Sequence, residues 1–229
     1  MLFMNAVLNK NETFIRYSGA ATDLKSDQFY YTEEHEECIT NGIHNATKIT
    51  YKDDKGKVIA KKTIDFSKGE SSPAFLQEDM RDGYMEGAEI EGEIVKLLYK
   101  KNKNEALKTK ELSIPEPVVI DGGFNNFVKK NWKQIQEGSS IKFNFAVPSQ
   151  LDYFTFRVKK EHESICNGKK AVVFKMEADN FLIRQLVAPI ILTYDVNTMR
   201  LMKYEGLSNI NDGKGKSYQV KLTYPTVGP

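Results

Sequence analysis

The densest donor chemistry in the chain lies in Glu33-Glu34-His35-Glu36-Glu37. At strand period, Tyr31, Glu33, His35 and Glu37 share one face, while Tyr30, Thr32, Glu34, Glu36 and Cys38 share the other. Carboxylates grouped round one imidazole suit a divalent cation such as zinc or manganese. The other histidines, His44 and His162, do not stand at ligand spacing from His35. The competing account is a charged edge strand, blunted against edge-to-edge pairing. The reading assigns no metal and no cofactor.

Other catalytic signals are thin. The sequence has no Gly-x-Ser-x-Gly elbow, no His-Glu-x-x-His, no phosphate loop and no cysteine paired locally with histidine. Gly122-Gly123 follows an apolar run, but it lacks the third glycine of a dinucleotide turn. The 31 acidic residues offer many accidental pairs. A hydrolase using paired carboxylates, with Glu34, Glu36 or Asp121, stays open as an alternative.

Binding chemistry is better represented. Trp132, Phe124 and Val128 stand at i, i+4 and i+8 positions of one stripe. Such a stripe is either core or the wall of a pocket. Asn125 and Asn126 fall in the same helix's first turn, where their amides cap the helix or line a cavity. Along residues 151–160, Phe154, Phe156 and Val158 alternate with Tyr153, Thr155, Arg157 and Lys159. If a sheet curls round the helix, one of these faces lines the hollow. Arg157 is then a partner for an anionic head group, or a surface charge. The candidate ligand-binding set is Trp132, Phe124, Val128, Asn125, Arg157 and Tyr153.

The elements that must position these residues read as hairpins round one helix. Phe124, Phe127, Val128, Trp132 and Ile135 recur at helical spacing and predict a helix over residues 124–136. Asp121-Gly122-Gly123 opens it and Gly138 closes it. Period-two patterning predicts strands over 13–18, 27–39, 46–51, 58–66, 89–100, 106–114, 140–147, 151–160, 170–178, 190–195, 200–206 and 218–224. On the strand over 58–66, Val58, Ala60, Lys62, Ile64 and Phe66 share a side. Residues 74–81 read as a short helix, and residues 181–187 as a helical turn or a cover over an open end. Gly83 and Gly87 suggest a bulge or corner. Asn167-Gly168 is the strongest hairpin signal in the chain. The expected fold is mainly β: a curved antiparallel sheet or open barrel of hairpins wrapped round a central helix, in one domain.

Composition bounds the function. A chain of 229 residues buries roughly 70–75% of its unfolded surface, enough for a sizeable core. The net charge of +2 argues against nucleic acid as a partner. The basic cluster at Lys100-Lys101-Asn102-Lys103 reads as a solvated hairpin tip. No apolar run reaches the ~18 residues of a membrane helix. Residues 1–12 read as an ordinary ragged terminus or as the remnant of a signal peptide. Cys38 and Cys166 allow one disulfide or two separate thiols.

Several segments carry a resemblance. Tyr30-Tyr31-x-Glu33-Glu34-His35, Thr63-Ile64-Asp65-Phe66-Ser67, Asp121-Gly122-Gly123-Phe124-Asn125-Asn126-Phe127 and Tyr204-Glu205-Gly206-Leu207-Ser208-Asn209-Ile210 together resemble an uncharacterised family of bacterial, exported proteins. The layout, repeated hairpins plus a plugging helix, is loosely similar to lipoprotein carriers of the LolA and LolB type. The resemblance implies an open barrel in the periplasm or cell envelope with a hollow for acyl chains. The leading expectation is a non-enzymatic carrier of a hydrophobic or lipid-like small molecule, with a possible envelope protein partner. The alternatives are the hydrolase and a structural or adaptor protein of the envelope.

Overall fold

A computed structural model of the chain describes residues 11–213 and 215–225. Residues 1–10, the bulk of the segment read as a terminus or signal remnant, lie outside the described residues. Glu12 already belongs to the first strand, where it pairs with Thr40. Lys214 and residues 226–229 also lie outside.

The fold is mainly β, as the patterning predicts. Its strands are β1 Glu12–Asp23, β2 Phe29–Thr40, β3 Ile43–Lys52, β4 Val58–Asp65, β5 Ala74–Asp79, β6 Met85–Glu91, β7 Ile94–Lys100 and β8 Lys108–Ser113. Then come β9 Val118–Val119, β10 Ile141–Val147, β11 Asp152–Cys166, β12 Lys169–Ala178, β13 Ile190–Asp195, β14 Leu201–Asn211 and β15 Ser217–Thr223. Helices α1 Gly123–Lys130 and α2 Trp132–Gln136 follow β9, and α3 Phe181–Leu186 follows β12.

All the strands belong to one 15-stranded sheet, ordered β8 through β1, then β15 back down to β9. Two meandering wings therefore meet at β1 and β15. That seam consists of the pairs Ala20↔Thr223, Ala21↔Leu222, Thr22↔Lys221 and Asp23↔Val220. Every ladder is antiparallel except β9 with β10. The sheet curls until the 3-10 turn Pro148–Gln150, between β10 and β11, packs against β6 and β7 of the opposite wing. Lys110 on β8 stands 3.9 Å from Asp152 on β11 across this closure.

The helix stripe folds as its spacing requires. Phe124, Phe127, Val128, Trp132 and Ile135 are all buried, against Phe143, Phe174, Leu192 and Tyr194 of β10, β12 and β13. A second core, with Tyr31, Tyr51, Ile64, Phe75 and Leu97, lies under the other wing. The single long helix is not continuous, however. It breaks at Asn131, whose side-chain amide donates to the Phe127 carbonyl at 2.8 Å while its backbone N–H is shared between Phe127 and Val128. A side chain that competes for its own helix's carbonyls ends the first helix there. At the far end Gly138, at φ +96°, closes α2, with the amide of Ser139 reaching the Gln134 carbonyl at 2.9 Å.

Other expectations need correction. Residues 74–81 do not form a helix. They hold β5, whose inward positions Phe75, Gln77 and Asp79 are buried. Two polar residues on a buried face hide the alternation, and pairing to β4 and β6 on both sides overrides local preference. The strand over 89–100 is two strands, because Gly92 at φ +63° turns the chain and Glu91 pairs with Ile94. The charged strand β2 is not an edge strand. It lies between β1 and β3, and the sheet's edges are β8 and β9.

The Asn167-Gly168 turn is present, with φ of +49° and +74°, and Cys166 pairs with Lys169. Positive φ at both positions defines a type I′ turn, which a β-branched residue fills only under strain. Gly168→Val is expected to lower stability by about 1 kcal/mol or more. Urea denaturation checks this, and an unchanged midpoint would count against the strain. Cys38 and Cys166 are free thiols.

Candidate functional site

The curled sheet leaves a hollow of about 2080 Å³ between the two wings and α1. Ligand pockets usually span about 300–1,000 Å³, so this space is generous. One wall is mainly apolar: Phe145, Phe156, Met176, Ile190 and Leu192 line it from β10 to β13, with Thr155, Glu177 and Asp195 beside them. The opposite wall, on β2, β3, β4 and β6, carries charges and tyrosines.

On β2, strand period delivers Tyr31, Glu33, His35 and Glu37 to the hollow together. The same alternation sends Glu34 and Glu36 to the other face, where they pair with Lys52 at 2.6 Å and Arg16 at 2.6 Å. Of the three acids considered for acid–base work, only Asp121 therefore reaches the hollow. One Glu33 oxygen accepts from the Tyr224 hydroxyl at 2.9 Å and lies 3.0 Å from His35 Nε2. His35 stacks on Tyr17 at 4.6 Å. Tyr17 donates to Glu37 at 2.8 Å, and burial followed by that carboxylate pushes its phenol far above the usual range. His35 and Glu33 thus engage each other and their aromatic neighbours.

Lys62 comes from β4, where it interrupts an apolar face. It is 3% exposed, and its Nζ holds Asp121 Oδ2 at 2.7 Å. Asn209 donates to the same oxygen at 3.1 Å, while Asp121 Oδ1 accepts from the Gly122 amide at 2.8 Å. Asp121 thereby ties the start of α1 to β4 and β14. The glycines after it permit close approach: a side chain at Gly123 would meet the Ser71 carbonyl oxygen at 2.2 Å.

Glu86 comes from β6 and is 7% exposed. One of its oxygens accepts from the Tyr84 hydroxyl at 2.9 Å. No lysine, arginine or histidine stands within ion-pair distance of it among the described residues. Burial raises its pKa to about 7; Asp121 adds to the rise, while Lys62 and the Tyr84 bond oppose it. Burial also pushes Tyr31, Tyr51 and Tyr224 well above the usual phenol range, so these rings stay neutral.

The residues expected to bind ligand divide. Phe124, Asn125 and Tyr153 line the hollow. Asn125 accepts from the Tyr194 hydroxyl at 2.7 Å, and Asn126 donates to the Glu70 carbonyl at 3.1 Å. Neither asparagine caps α1, whose N-terminus has no side-chain cap. Val128 and Trp132 face away from the hollow, into the core beneath the helices. Arg157 pairs with Glu177, which also holds Arg184 at 3.2 Å and Lys175 at 3.4 Å. Lys129 has an exposed side chain but stands at the hollow's wall, and the surrounding protein lowers its pKa. At the rim, Asn180 caps α3 through Leu182 and Ile183, leaving Phe181 and Leu182 65% and 70% exposed.

Sequence reasoning missed Glu86, Lys62, Tyr51 and Tyr224 as site residues. A signal existed for Lys62, since one lysine among Val58, Ala60, Ile64 and Phe66 marks a buried charge in need of a partner. Glu86 had none, because its strand was not recognised.

No family model matches the sequence, and no curated protein matches it either. Among solved structures, the chain is similar to the crystal structure of a β-barrel-like protein of the domain of unknown function DUF1849 from Brucella abortus. That likeness has a TM-score of 0.53 at 8% identity, over 95% of this chain and 98% of the other. At so low an identity it concerns the fold alone, and it agrees with the mainly β, barrel-like architecture.

Proposed function

We propose that this chain is a non-enzymatic binding or carrier protein of the bacterial cell envelope, taking a hydrophobic or lipid-like small molecule into its hollow. The observation that carries the reading is the hollow of about 2080 Å³ with one mainly apolar wall. The apolar wall of so large a hollow exposes to water a surface that a hydrophobic ligand would cover favourably. Phe124, Asn125 and Tyr153 are its proposed contacts from the helix and β11. Trp132 and Val128 fix the helix that bounds it, and Arg157 braces the rim through Glu177. The exposed Phe181 and Leu182 beside the opening supply an apolar lip over which such a ligand enters. The periplasmic or envelope setting, and an envelope protein partner for loading or unloading, belong to the same proposal. They rest on the resemblance to exported proteins.

Native mass spectrometry after mild extraction is the test, with titration of a neutral naphthylamine dye as its companion. The expected result is a co-purified lipid mass on the chain and saturable dye fluorescence that the lipid displaces. A bare chain mass together with no dye uptake would sink the carrier reading.

A further inference from the structure

We infer that the polar wall of the hollow is a recognition site for a protonated amine, so that the ligand is a cationic amphiphile. The inference rests on the carrier reading and names the chemistry of the head group. Glu33, Glu37, Glu86 and Asp121 line the hollow on this side, and among the described residues Lys62 is the one lysine or arginine of β2, β3, β4 and β6 that does so. Lys62 is spent on Asp121 at 2.7 Å. Glu33 is engaged at one oxygen by Tyr224 and His35.

Glu86 stands apart. It is 93% removed from solvent by its 7% exposure, faces the hollow, and has only the Tyr84 hydroxyl on one oxygen. Its second oxygen has no donor among the described residues. A buried carboxylate without a cation is costly, and a ligand ammonium aimed at it would supply the missing partner and donors.

The surroundings favour a cation a second time. Tyr31, Tyr51, Tyr204 and Tyr224 all line the same space. Burial keeps their phenols neutral, so an ammonium here would stand among aromatic rings that do not titrate. An anionic head group would meet Glu33 and Glu86 with only Lys62, already held by Asp121, as a cation acting on Glu86; Lys129 and Arg200, which also line the hollow, interact with Glu37 instead. The apolar wall across the hollow then takes the ligand's hydrocarbon body.

Amine binding is also coupled to protons. The charged and titratable groups facing Glu86 are Lys62 from β4, Asp121 ahead of α1, Tyr84 beside β6, Tyr51 from β3 and Tyr99 from β7. Protonated Glu86 offers an ammonium little, so amine affinity should rise as Glu86 ionises.

The test is isothermal titration, below micelle formation, of dodecylammonium, dodecanol and dodecanoate into the full chain at pH 5.5 and pH 8. Dodecylammonium is expected to bind about tenfold or more tighter than dodecanol at pH 8. That preference should shrink at pH 5.5. In Glu86→Gln, with folding checked by circular dichroism, the ratio of the two affinities should fall towards one. Dodecanol or dodecanoate binding as tightly as dodecylammonium at pH 8 overturns the inference and leaves the carrier reading standing. If Glu86→Gln does not fold, a wild-type preference that stays flat between the two pH values overturns it just as well. Failure of all three probes to bind overturns the carrier reading along with it.

Discussion

Trp132→Ala lowers the free energy of unfolding by about 3–5 kcal/mol, the expected range for a fully packed tryptophan. The ring meets Phe174 edge-on at 5.1 Å and Tyr194 at 5.8 Å, between α2 and the inner faces of β12 and β13. Truncation leaves a void beneath two abutting short helices, which have little stability of their own. Because the ring does not line the hollow, ligand affinity of the folded variant should change little. Urea denaturation followed by circular dichroism reads the first effect and dye titration the second. The chain has one tryptophan, so wild-type emission reports this site alone. Emission like that of free tryptophan in water, fully quenched by iodide, would contradict the burial.

Glu86 sets the second large effect. Its folded pKa rises from the ordinary 4.5 to about 7. Below pH 4.5 the carboxyl is protonated in folded and unfolded chains alike, so it costs nothing. Between these values the unfolded chain ionises while the folded one holds its proton, and stability falls as pH rises. Above pH 7 the loss is complete, at about 3 kcal/mol. Glu86→Gln removes this slope, keeps an oxygen for the Tyr84 hydroxyl, and should be the more stable protein at pH 8. Half-buried His44, whose pKa desolvation lowers, pushes the opposite way over part of the same window. The difference between variant and wild type cancels that contribution. Urea midpoints at pH 5, 6, 7 and 8 measure it, and parallel curves for the two proteins would refute the assignment.

Architecture was legible where a single physical rule governs a segment. The Phe124–Ile135 stripe, the Asn167-Gly168 turn and the β2 alternation each depend on local geometry alone, and each reads correctly. Failures occur where partners distant in sequence decide. β5 looks helical because Gln77 and Asp79 occupy its buried face. The Gln77 amide nitrogen donates there to the Asn209 carbonyl at 2.7 Å, while its side-chain oxygen has no partner among the described residues, and Asp79 is held by Arg81. The helix break at Asn131 depends on one side-chain amide finding a carbonyl. For the site, the face bearing Tyr31, Glu33, His35 and Glu37 was visible. That it faces a hollow was not, because the hollow exists only once two wings curl towards each other. Glu86 joins Lys62 and Asp121 from three separate elements, and no spacing within one element encodes that meeting.

The seam between β1 and β15 has a consequence for how the chain reaches this shape. Every other neighbour pair in the sheet joins strands consecutive in the sequence. At the seam, Thr22 meets Lys221 across a separation of 199 positions. Closing so long a loop costs conformational entropy that no hairpin in either wing bears, although that cost grows only logarithmically with length. Among the ladders of the sheet, long-range pairing is therefore concentrated in one short ladder, and each wing can zip from its own turns before that ladder forms.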